Sequence, residues 1–366
     1  MEHSNIKTAA SRGLTQVRTS DSSIAKLWMM IGLGWFLLAV YVWGSWIVGP
    51  DFKENSIGRE LASDSYVLWI RCVEIGSILL ALFQIWHFII RPKIKSGCMS
   101  FDGLFFIACW SLYLQEPWLN YNGHQFLYTT VSYNMGSWVN YVPGWNSPNG
   151  ELIPVGSIIW FTAYLNLVGL WAYAGGCFMR WVKRMKPDIS TIGLLLVTFT
   201  AFIPFDLVLE QIILRGELFN YASTVPELTL WAGEIYQFPI YEAVSWCACL
   251  TAWSAVYYFR NDKGETFAER GLDKLKFPTA GLKTFARLLI IMGFCHTSFL
   301  FLYNIPYFYW STKGGAFPPY KEYRTAGMCG PKTNYDCPAL DIPLPKKDSY
   351  TNRVVPPESL TLPVKP

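Results

Sequence analysis

The chain has 366 residues, of which 52% are hydrophobic and only 15% charged, against about a quarter charged in a typical soluble domain. The net charge of +4 is small and spread over loops, which excludes a nucleic-acid surface. The nine cysteines contain no CxxC pair. Cys247 and Cys249, two apart on an expected helix, point in different directions, so no metal site is expected from them.

Residues 1–23 are polar, and the first apolar run is too long for a signal-peptide core, so residues 1–24 are read as a cytoplasmic tail. Crossing the hydrocarbon layer as helix takes about 20 apolar residues. Runs of that kind cover 25–49, 66–90, 99–118, 154–179, 192–214, 228–259 and 282–309. The expected fold is therefore all-α and integral to a membrane: a seven-transmembrane-helix bundle over residues 25–310. Pro204, Pro239 and Pro306 should kink spans five, six and seven, with neighbouring helices satisfying the freed carbonyls. No internal repeat is visible, which withholds support from an inverted-repeat transporter.

Loop charges orient the spans. Arg91, Lys93 and Lys95 follow span two; Arg180, Lys183, Arg184 and Lys186 follow span four; six Lys and Arg from Arg260 to Lys283 follow span six. The alternate loops carry Lys53 and Arg59, then none from Trp118 to Ile153, then Arg215. The positive-inside rule puts the N-terminus in the cytoplasm and the C-terminus outside. This suits the endoplasmic reticulum in a eukaryote or the plasma membrane in a bacterium. The tail over 311–366 is Pro-rich, and its Cys329 and Cys337 fall in an oxidising compartment where they can pair, although spacing does not settle the pairing.

Six acids, Glu74, Glu116, Asp206, Glu210, Glu234 and Glu242, stand inside or at the mouths of these runs. An acidic group at a bilayer centre costs about 2.5–3.5 kcal/mol, so such groups face a bundle interior and mark function. With the spans oriented, Glu74, Glu116, Asp206, Glu210 and Glu234 fall in the outer half, with Glu242 near the centre of span six. Gln237, His296 and Asn304 join them as candidate ligand contacts by depth. Asp206 and Glu210 are i, i+4 and share a helix face; Arg71 and Glu74, i, i+3, read as a structural ion pair. Carboxyls crowded into low dielectric cannot all ionise, so one should keep its proton, as acid–base chemistry on a hydroxyl or carbonyl requires.

The segment from Trp118 to Gly150 reads WLNYNGHQFLYTTVSYNMGSWVNYVPGWNSPNG and holds eight aromatics with no Lys or Arg. A loop this long without its own periodicity is a functional lid or disordered, and the aromatics argue against disorder. The expectation is a packed aromatic lid over 118–153 on the non-cytoplasmic side. It would close the outer mouth and offer Tyr133 and Trp138 to an apolar, oxygen-bearing ligand.

The runs EPWLNY, YNMGSWVNYVPGWNSPNG, FDLVLEQ, YQFPIYEAVSW, YFRNDKGETFAERGLDKL and LYNIPY, followed by the cysteine-bearing tail, resemble the AveC family of membrane spirocyclases in that order. The resemblance implies a multi-pass membrane protein linked to spiroketal formation or dehydration in secondary metabolism. It implies catalytic roles for Glu116, Asp206, Glu210 and Glu242, and ligand contacts for Asn120 and Tyr241; where members more often carry Asp-Pro, this chain has Glu116-Pro117.

The expected function is an enzyme: a cofactor-independent cyclase or dehydratase acting on a lipophilic hydroxylated polyketide or lipid. Its partners would be that small molecule and the bilayer, with no metal, redox cofactor or nucleic acid. A membrane terpene cyclase would use the same acids with aromatics over a cation, and a lipid-binding protein or proton-coupled carrier would use them as a relay. The inner half of the bundle has few polar groups, which speaks against a through-path.

Overall fold

The computed structural model describes residues 22–262, 264–315, 318–330, 333 and 335–337. Most of the expected N-terminal tail and most of the Pro-rich tail lie outside the described residues. Among them the bundle is built from α1 (Ser23–Val48), α2 (Asp64–Ser96), α3 (Phe101–Ser111, continued as a 3-10 helix Leu112–Asn120), α4 (Ile158–Met185), α5 (Thr191–Arg215), α6 (Ile240–Tyr258) and α7 (Ala280–Ser311). The starts follow local chemistry. Ser63, Ser100, Ser157, Ser190 and Thr279 cap α2, α3, α4, α5 and α7, each hydroxyl accepting a first-turn backbone N–H.

Five of these helices, α1, α2, α4, α5 and α7, are long and apolar enough to cross a membrane. The most apolar windows of α1, α2 and α5 are only 22% buried. Leu37, Leu79, Leu82, Leu196, Val208 and Ile212 therefore point outward, a surface suited to lipid and costly in water. The other two helices, α3 and α6, fill the middle.

The expected sixth span, 228–259, is corrected. Pro239 stands at the N-cap of α6 rather than inside it, and the helix begins at Ile240. Proline lacks the N–H that a helix interior needs but suits a helix start. Residues ahead of it form two short strands, β3 (Thr229–Leu230) and β4 (Phe238–Pro239), paired antiparallel. Glu242 thus lies in the first turn of α6 instead of mid-span, Gln237 precedes the helix, and Glu234 is exposed. Within α6, 13 of 19 residues are buried, so its Ser, Thr and Cys face protein and it needs no lipid-compatible surface. Pro204 does lie inside α5, and Pro306 follows a π-turn, Leu300–Asn304, within α7.

Close packing rests on small residues. Gly32 of α1 and Gly293 of α7 lie face to face: a Cβ on Gly32 would strike the Leu289 carbonyl, and one on Gly293 the Trp28 carbonyl. Where lipid competes for apolar contact, such backbone approach is the main attraction between helices.

One end of the bundle carries the lid, the α1–α2 loop, the α5–α6 loop and the segment after α7. Strands β1 (Phe126–Tyr128) and β2 (Phe219–Tyr221) pair antiparallel there, joining the lid to the α5–α6 loop. Asn55 and Asn134 bond reciprocally through side chain and backbone, and Asn55 Nδ2 also reaches the Ala326 carbonyl at 2.9 Å. Buried Arg324 donates to the Tyr66 hydroxyl at 2.5 Å and to Glu217 Oε2 at 3.0 Å. Cys329 and Cys337 are joined as a disulfide.

Arg71 and Glu74 form an ion pair on α2, and Glu74 Oε1 also accepts from Ser132 Oγ at 2.9 Å and from the Tyr133 N–H at 2.8 Å. Glu74→Ala leaves the buried Ser132 hydroxyl unpaired along with Arg71 and the Tyr133 N–H, and should cost about 1–3 kcal/mol. The expected result is a lower unfolding midpoint in detergent with faster proteolysis around residues 131–134; an unchanged midpoint and digestion pattern would refute a stabilising role for the Glu74 contacts.

Candidate active site

Four acids from three elements line one cavity. Glu116 comes from the 3-10 extension of α3, Asp206 and Glu210 from successive turns of α5, and Glu242 from the first turn of α6. The cavity takes in about 720 Å³ of non-atom space, part of it open to the surroundings. Its remaining wall is aromatic and aliphatic, with Trp160, Trp171, Phe205, Trp246 and Phe299 prominent, and no Lys or Arg among the lining residues.

Three of the four acids are held by phenols in place of cations. Tyr128 and Tyr164 donate to the two oxygens of Glu116 at 3.0 and 2.5 Å. Tyr221 donates to Glu210 Oε2 at 2.9 Å, and Tyr303 to Glu242 Oε1 at 2.7 Å. Asp206 Oδ2 and Glu242 Oε2 are buried with no protein partner. Asp206, Glu210 and Glu242 each bring one oxygen to within 4.8 Å of the others. A divalent cation could bridge such a triad. So could protons shared among the oxygens, since three negative charges this close in an apolar wall repel strongly. The arrangement can therefore hold acid and base side by side.

The other residues singled out by position or resemblance lie outside the cavity lining. His296 is buried, bonded to Ser111 Oγ and Gln115 Nε2 at 2.9 Å each and stacked on Trp35. Asn304 donates to Gln115 Oε1, extending that chain. Gln237 holds the Tyr221 and Ala222 carbonyls and accepts from Thr224 and Gly233. The Asn120 carboxamide accepts from the backbone N–H groups of Gln125 and Phe126 at 2.8 Å each, setting the turn into β1. Trp138 is buried against Trp43, Trp46 and Tyr113, and its indole N–H reaches the Leu114 carbonyl. Tyr133 is 54% exposed under the Arg71 guanidinium, and Tyr241 stacks on Trp310. These side chains build the frame rather than the chamber.

Sequence reasoning passed over the four tyrosines. Tyr303 stands beside Asn304 in LYNIPY, and Tyr221 in a stretch with no helical period. In a chain with 21 tyrosines, belts and core packing account for any one of them, so the only usable signal was their proximity to acids in the fold.

A family model described as spirocyclase AveC-like matches residues 98–321, from just before α3 to just beyond α7. The match takes in all four cavity acids and every quoted motif run, and leaves out α1, α2 and the cysteine-bearing tail with which the resemblance was expected to end. No curated protein and no solved structure matches the chain. On this match over more than half its length, the chain belongs to the AveC-like spirocyclase family.

Proposed function

We propose that the protein is a membrane-embedded cyclase that closes hydroxylated lipophilic substrates by acid–base catalysis at Asp206, Glu210 and Glu242, with Glu116 alongside. Family membership supports a cyclase-type enzyme. The observation that carries the mechanism is the convergence of three carboxyls on an aromatic cavity whose lining offers no fixed cation. For a spiroketal-type closure, one hydroxyl adds to a ketone to give a hemiketal. A protonated carboxyl donates its proton to the hemiketal hydroxyl, which leaves as water. The resulting oxocarbenium ion sits between carboxylate and the faces of Trp246 and Phe299, both of which attract positive charge. A second substrate hydroxyl attacks that carbon, and a neighbouring carboxylate takes its proton. The net change is loss of one water, with the proton returned to the acid cluster.

Replacing Asp206 by Asn and Glu210 by Gln removes two proton-transfer groups while keeping shape, and should lower turnover by about 10²–10⁴-fold. Comparative metabolite profiling of a host carrying either form should reveal a product lighter than its precursor by water, or isomeric with it, that disappears in the double variant. Equal product from both would sink the mechanism. Identical profiles with and without the wild-type protein would favour a carrier.

We further propose seven spans with the N-terminus inside and the lid outside the cytoplasm. Loop charge supports this, as does the disulfide on the lid-bearing end. Cys98, exposed in the α2–α3 loop, should react with an impermeant maleimide only after the membrane is opened. Labelling in intact cells would invert the orientation.

A further inference from the structure

We infer that the substrate reaches the carboxylates sideways from the bilayer, through a slot between α4 and α5, and is therefore a molecule whose reacting oxygens sit on a long apolar chain. This deepens the proposed cyclase reading and rests on it for the nature of the bound molecule. The lid end of the cavity is shut. Phe126 and Phe219 stack across the β1–β2 pair at 4.2 Å, and with Tyr128 and Tyr221 all four rings are at most 5% exposed. The expected outer mouth beneath the lid is thus closed by aromatic packing.

Of the seven half-buried lining residues, Glu116 and Trp246 stand on other helices and the remaining five lie together on α4 and α5. On α5, Phe205, Leu209 and Ile213 recur every four residues along one stripe. That stripe runs between inward-facing Asp206 and Glu210, which are buried, and outward-facing Val208 and Ile212, each 62% exposed. Across from it on α4 stand Leu167 and Trp171, also half-buried. Trp171 packs on Phe205 with ring centroids 3.8 Å apart, and at the other end of α5 the Trp69 indole donates to the Gly216 carbonyl at 2.8 Å. Between these two contacts the stripe is apolar and belongs to helices long and apolar enough to cross a membrane. It leads from a face that an alkyl chain would occupy to a floor that holds acids. A molecule soluble enough to come through water would gain nothing from such a wall, whereas a bilayer-dissolved chain loses no apolar contact on the way in.

The test uses the full-length protein in phosphatidylcholine vesicles with a long-chain alcohol bearing a diazirine in its chain as the probe. Illumination followed by peptide mapping should place adducts on the buried floor residues Leu250 and Phe299, beyond the reach of surrounding lipid. The double substitution Leu209→Trp/Ile213→Trp fills the slot and should cut floor labelling about tenfold. Adducts on Val208 and Ile212 should stay constant, reporting intact folding. Trp171→Ala should raise floor labelling. Floor adducts that are absent from the wild-type protein, or unchanged by both substitutions, would overturn the lateral route. Floor labelling by a short, water-soluble diazirine alcohol that equals the long-chain signal would do the same. Labelling does not depend on chemistry, so the two readings fail separately. If the slot variants behave as expected while Asp206→Asn/Glu210→Gln leaves the metabolite profile untouched, the route stands and the catalytic reading falls.

Discussion

Four carboxyl groups share an apolar cavity whose lining has no Lys or Arg, and the rest of the molecule is arranged around keeping them there. Burying a charge without a partner is among the largest penalties in protein energetics. Here the penalty is reduced by hydroxyl donors, each on a different element: Tyr128 on β1, Tyr164 on α4, Tyr221 on β2 and Tyr303 on α7. A phenol supplies a directed hydrogen bond without neutralising the acid, so the oxygens keep the capacity to exchange protons. Two oxygens, on Asp206 and Glu242, are left without a protein partner. A group held in that condition is poised for something other than stability.

The fold serves this chamber by dividing labour between outer and inner helices. α1, α2 and α5 carry apolar outward faces, while α6 runs through the interior and can hold Glu242, Ser245 and Thr251 because other helices surround it. The glycine contact between α1 and α7 fixes one wall. The lid and the α5–α6 loop are joined by the β1–β2 pair, which positions Tyr128 and Tyr221 over two of the acids. The lid thus supplies one of the hydrogen bonds that make the acid cluster tolerable, through Tyr128, and the α5–α6 loop another, through Tyr221.

How much of this was legible depends on which residues are unusual for their surroundings. An acid in an apolar run is unusual, so Glu116, Asp206, Glu210 and Glu242 could be picked out and do share one cavity. An aromatic in a membrane chain is ordinary, so the tyrosines that complete the site were hidden. Hydropathy placed helices but not their limits: apolar residues from Leu228 onward looked continuous with span six, whereas Pro239 sets the start of α6 and moves Glu242 to its first turn. Depth along a span also misled where neighbours satisfy a polar group. His296, Asn304 and Gln237, chosen by depth, bond to the frame outside the cavity lining, as does Asn120, chosen by resemblance. Periodicity cannot report which way a side chain's partners lie.

On the proposed mechanism, protons shared within the Asp206–Glu210–Glu242 cluster are what the site uses. Infrared difference spectroscopy of the protein in lipid measures this directly, through the carbonyl stretch of a protonated carboxyl. At neutral pH the account predicts such a band, shifted in heavy water, sensitive to added substrate-like alcohol, and lost in Glu210→Gln or Asp206→Asn. A spectrum with carboxylate bands alone, unchanged by those substitutions until a divalent cation is chelated away, would contradict it and make the cluster a metal site.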